Sequence, residues 1–105
     1  MTKKEFNVMV MLYAAKIDGS IRSEEIEVVL EKSHPEVLAD VKKILRKMSD
    51  IEILDCIAEH ASKYAATEAD RQELFGHVHD IIAADGRSSA MESHLLRVLT
   101  KILSK

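Results

Sequence analysis

Asp18 and Asp85 each precede a glycine, Gly19 and Gly86, and each is followed seven residues later by a glutamate, Glu25 and Glu92. Two pairs of carboxylates on one plan suggest a site for a hard cation, which prefers oxygen ligands and takes about six to eight of them when it is calcium. The stretches DGSIRSEE and DGRSSAME lack the D-x-D-x-D-G run of an EF-hand, so any such site would need carbonyls, water or the other repeat. Turn chemistry accounts for the same residues without a ligand. A glycine just past a helix end adopts the left-handed conformation without Cβ strain and closes the helix. An aspartate can fold back on the amides of its own loop, and a glutamate in a first turn is favoured by the helix dipole.

Other chemistry-bearing residues are fewer. Cys56 and His60 are one helical turn apart and could form a thiol and base pair, but a single helical cysteine beside an apolar stripe reads first as a small packing residue. Glu73, His77 and Asp80 share a helical face at spacings suited to a transition metal, and read more simply as a solvated stripe. His77 and His79 point away from each other. No H-E-x-x-H, G-x-S-x-G or glycine-rich phosphate loop occurs. The expectation is a protein without catalytic residues.

The elements that position these residues are helices. Apolar residues recur at helical spacing throughout and never alternate long enough for a strand, so the fold class is all-α. Residues 4–17 are apolar around most of their girth, which predicts a central helix. A second helix, marked by Ile26, Val29 and Leu30, is expected over about 22–33, ended by His34-Pro35. The third, about 35–48, carries Val37, Leu38, Val41, Ile44, Leu45 and Met48 as its core stripe. Ser49-Asp50 caps a fourth helix with Ile51, Leu54, Ile57, Ala58, Ala61 and Tyr64 on its inner face, and Thr67 heads a fifth with Leu74, Phe75, Val78, Ile81 and Ile82. The last follows Asp85-Gly86, opens on Ser89-Ala90-Met91-Glu92 as a capping box, and buries Met91, Leu95, Val98, Leu99, Ile102 and Leu103. The reading is a compact bundle of about six helices in one domain, 1–105, with an internal repeat of 4–33 and 70–104 in which the two halves match at an offset of 67 residues.

With A-x-x-D-G ending an apolar helix and Glu at the seventh place after the Asp, YAAKIDGSIRSEEIEVV and DIIAADGRSSAMESHLLRVL resemble the tellurite-resistance TerB-like family. The resemblance implies an all-helical domain with pseudo-symmetric halves, found in bacterial stress and tellurite-resistance systems and fused to other modules such as DnaJ-like co-chaperones. It also implies binding of a metal ion or other ligand at the positions matching Asp18, Glu25, Asp85 and Glu92. The chain departs from the pattern at Arg22, where a small capping residue is common, and at Ser88, where an apolar residue is usual.

Composition bounds the function. At 105 residues, 47% hydrophobic and 31% charged, the chain is globular in character, and no apolar run approaches the ~20 residues of a membrane span. The apolar start leads into Lys16 and Asp18 rather than a small-residue cleavage site, which argues against a secretory leader. A single cysteine fits a reducing compartment, the cytoplasm. A net charge of −3 gives no general attraction for nucleic acid or anionic membranes. Charge is uneven, however: Lys42, Lys43, Arg46 and Lys47 make the third helix basic outside, while Asp50, Glu52, Asp55 and Glu59 make the next one acidic. Either these faces neutralise each other, or the basic one is a docking surface. The functional expectation is a binding or adaptor module acting through a protein partner, with self-association left open. The alternative is a metal-binding protein that uses a divalent cation at the four acids.

Overall fold

Residues 1–16, 23–84 and 89–103 are described by a computed structural model of the chain. Among them are six α-helices: α1 (Lys3–Lys16), α2 (Ser23–Lys32), α3 (Pro35–Leu45), α4 (Asp50–Tyr64), α5 (Glu68–Ala84) and α6 (Ser89–Leu103). No described residue lies in a strand.

Local chemistry sets where several of them begin. Ser49 Oγ accepts from the Glu52 amide at 3.2 Å while Glu52 Oε1 accepts from the Ser49 amide at 3.0 Å, a complete capping box at the start of α4. Thr2 and Glu5 do the same ahead of α1, at 3.2 and 2.8 Å. Thr67 Oγ1 takes the Asp70 amide at 3.1 Å at the head of α5. Pro35 opens α3, where its missing N–H costs nothing and its fixed φ suits the first turn.

These helices close around α1. Phe6, Val8, Met9, Val10, Met11, Leu12, Ala14 and Ala15 are all buried, so this helix has core on nearly every side, as its unbroken apolar pattern predicts. It packs against α2, α3, α4 and α5, and α4 also packs on α6. Small residues at Ala14 and Ala15, both fully buried, let neighbouring backbones approach its C-terminal half. The radius of gyration, 12.4 Å, matches the ~13 Å expected of a compact chain this long. No helix among the described residues is long and apolar enough to cross a membrane.

Three expected core positions sit outside instead. Ile51 is 73% exposed, and Leu30 and Ile44 are each 38% exposed. On α4 the buried row is Ile53, Ile57 and Ala61. At about 100° per residue Ile51 lies roughly 120° from the middle of that row. On α3 the buried residues are Leu38, Val41 and Leu45, and Ile44 falls on the shoulder of their stripe. Phe75, Tyr64 and Met48 are half-buried against the core rather than inside it.

Acid tests the caps and ion pairs together. The Thr2 amide holds Glu5 below the usual carboxylate range, and the Ser49 amide does the same for Glu52. Hydrogen bonds from Lys3 and Lys32 lower Asp70 and Asp80. A carboxyl depressed in the folded state contributes stability that is complete above its unfolded pKa and disappears as pH falls through its folded value. The urea midpoint is therefore expected to be flat from pH 7 to about 5 and to fall below about pH 4.5 at constant m-value. Glu52→Gln should lower the neutral-pH midpoint and shallow the acid limb. A midpoint indifferent to pH down to about 3 contradicts these assignments.

Candidate functional site

The paired acids of the two Asp-Gly turns lie at the edge of what is described. Asp18, Gly19, Asp85 and Gly86 fall outside the described residues, while Glu25 and Glu92 fall in the first turns of α2 and α6 with side chains also outside them. Among the described residues no group of three His, Cys, Asp or Glu side chains is placed to hold a metal.

The Glu73, His77 and Asp80 stripe divides between separate partners. Glu73 Oε1 lies 3.6 Å from His77 Nε2, and Asp80 Oδ2 lies 2.8 Å from Lys32 Nζ across to α2. Cys56 and His60 do meet, with Sγ 3.7 Å from Nδ1, but Nδ1 is closer to the Cys56 carbonyl oxygen, at 2.9 Å. A carbonyl oxygen only accepts, so the proton belongs on Nδ1, and that nitrogen then cannot act as a base toward the thiol. Burial, and after it Glu59, pushes the Cys56 thiol up, the opposite of what activates a nucleophilic cysteine. Cys56 is half-buried against the core. Next to it His60 stacks on Tyr64 at 6.2 Å between centroids, and Tyr64 packs on Phe6 at 5.6 Å and donates its hydroxyl hydrogen to the Met1 carbonyl.

The basic residues of α3 and the turn after it form a face. Lys43, Arg46 and Lys47 are exposed and Lys42 is half-buried on the other shoulder of the buried stripe from Ile44. The dipole of α3 favours cations at this end, which explains their charge but not the exposed isoleucine among them. Asp50 pairs with Lys16 at 3.4 Å, Asp70 with Lys3 at 3.0 Å and Asp80 with Lys32, and among the described residues no carboxylate pairs with Lys42, Lys43, Arg46 or Lys47. Lys16, Lys42 and Arg46 surround a hollow of about 170 Å³ against Leu45.

Comparison with known protein families, with curated proteins and with solved structures finds no match to this chain.

Ile44, at the edge of this face, and Ile51, at the start of α4, are exposed residues that periodicity misplaces, because an isoleucine at helical spacing reads as core. The signal available in the sequence was their position among charges: Ile44 between Lys43 and Arg46, Ile51 between Asp50 and Glu52. A second cluster is also hidden from the sequence. Lys4, Asn7, Lys32, Ser33, His34 and His77 meet around one small cavity although they come from α1, the α2–α3 junction and α5.

Proposed function

We propose that this chain is a non-enzymatic adaptor module of the TerB-like kind, working in the cytoplasm in a stress response, and that it docks an acidic amphipathic segment of a protein partner on the α3 face. The observation that carries this reading is the hollow against Leu45 with its rim of Lys16, Lys42 and Arg46, beside cations that no carboxylate among the described residues pairs with. An interface of this type puts an apolar anchor at its centre and charge at its rim. Leu45 supplies apolar area in the hollow, the partly exposed Ile44 supplies more at the far edge of the basic face beyond Lys47, and Lys43, Arg46 and Lys47 between them supply the attraction that brings an acidic partner. Single-stranded nucleic acid fits less well, since base stacking needs aromatic platforms and α3 has none.

The test is fluorescence anisotropy with a labelled helical peptide of Glu, Leu and Ala, against wild type, Lys43→Glu/Arg46→Glu/Lys47→Glu and Ile44→Ser. The wild type binds with an affinity that salt reduces, and both variants bind more weakly. Equal binding by wild type and the triple variant, or binding of a single-stranded oligonucleotide in place of the peptide, overturns the reading.

A further inference from the structure

We propose that the cavity between α1, the α2–α3 junction and α5 binds one tetrahedral oxyanion of the phosphate class. The cavity is about 80 Å³ and is lined by Lys4, Asn7, Lys32, Ser33, His34 and His77 over an apolar floor of Val8 and Met11. That is room for several water molecules, and so for one oxyanion but not for a nucleotide. Every polar side chain among the described residues lining it can donate a hydrogen bond, and none of these is a carboxylate.

Three features make this more than a polar dimple. Ser33 Oγ is wholly buried and has no hydrogen-bond partner among the described residues, a state that a native structure rarely leaves unanswered. Lys4 has no ion-pair partner among the described residues, unlike Lys3 beside it, which Asp70 takes at 3.0 Å. The N-terminus of α3 stands at the same junction, and His34 makes no side-chain hydrogen bond to cap it. Its uncapped amides and the positive end of its dipole favour an anion there.

The remaining donors are held without being used up. Lys32 gives one of its three ammonium hydrogens to Asp80 at 2.8 Å, leaving two. His77 directs Nε2 toward Glu73 at 3.6 Å, leaving Nδ1. Val8 and Met11 are each 1% exposed, so the floor keeps water off one side and strengthens each charge-assisted contact. Two lysines repel a metal cation from the same space.

The test follows backbone amide shifts by NMR at pH 7 and constant ionic strength while sodium chloride is exchanged for inorganic phosphate, and separately for O-phosphoserine. Wild type is expected to give saturable shifts centred on Ser33, His34 and His77. Lys4→Met should weaken binding about tenfold or more, as loss of a charged donor does, and Ser33→Ala about threefold or more. Lys4 is exposed, so its variant keeps the fold, which an unchanged melting curve verifies. Phosphoserine binding as well as the free ion keeps the site and assigns it to esterified phosphate too. Shifts that never saturate, that centre on Lys43 and Arg46 instead, or that survive both substitutions unchanged overturn the proposal.

Discussion

Phe6→Ala is expected to cost about 3–5 kcal/mol, the range for emptying a buried aromatic site. Phe6 is fully buried on α1, the helix that α2, α3, α4 and α5 all pack against, and its ring meets Tyr64 of α4 at 5.6 Å. Truncation therefore removes transfer energy, leaves a void, and takes away the aromatic contact that fixes α4 against α1 near the chain start. A domain of this size is stable by only about 5–15 kcal/mol in total, so the loss is a large fraction of it. The melting temperature should fall by roughly 12–25 °C. Ile51→Ala supplies the control: at 73% exposure it should change stability by less than about 0.5 kcal/mol. Equal destabilisation by both would mean that α1 is not the centre of the fold.

Charge reversal on α3 carries the second large effect. Each exposed ion pair is worth only about 0.2–1 kcal/mol, but replacing Lys43, Arg46 and Lys47 by Glu exchanges three attractions for three repulsions. Together this predicts a loss of roughly 10- to 100-fold in affinity for an acidic peptide. Because ions screen exposed charges beyond about 10 Å at 0.1 M, wild-type affinity should fall as salt rises, while the variant's should rise as its repulsions are screened. Ile44→Ser should behave differently, weakening binding with the salt slope unchanged, since it removes apolar area rather than charge. Glutamates at a helix C-terminus also oppose the dipole, by about 0.3–1 kcal/mol each. Lys43→Gln/Arg46→Gln/Lys47→Gln separates that effect from binding: it should fold as wild type and lie between the two in affinity.

Much of the fold is legible in the sequence because helix ends are written locally. Ser49, Thr67 and Pro35 mark starts that need only their own neighbours, and α4, α5 and α3 begin where those residues place them. The rotation of a helix about its axis is not local. Reading α4 with Ile51 inward and passing over Ile53 misplaces its buried row, because the choice between two isoleucines two residues apart is made by what α1 and α6 present to it. The Thr2 and Glu5 capping box is written in the sequence as T-x-x-E, yet escapes a reading that starts α1 at its first apolar residue.

The candidate sites divide in the same way. The cations of α3 are consecutive enough to be seen as a face, but that Asp50 turns to Lys16, leaving them without a carboxylate partner among the described residues, depends on how α1 ends against α4. The cavity around Ser33 draws on residues from Lys4 to His77, and no spacing along the chain brings these together. Asp18, Glu25, Asp85 and Glu92 remain the clearest pattern in the sequence, and calcium, magnesium, manganese or zinc binding that Asp18→Asn/Asp85→Asn abolishes would turn the functional reading toward them.

The central claim, that the α3 face is where this chain meets its partner, is tested most directly by mapping backbone amide shifts on adding the acidic amphipathic peptide to the whole chain. The account predicts that the largest changes fall within 42–51, around Leu45 and Ile44, and that they disappear in the triple glutamate variant. Changes confined to other helices, with 42–51 unmoved at saturating peptide, would contradict it.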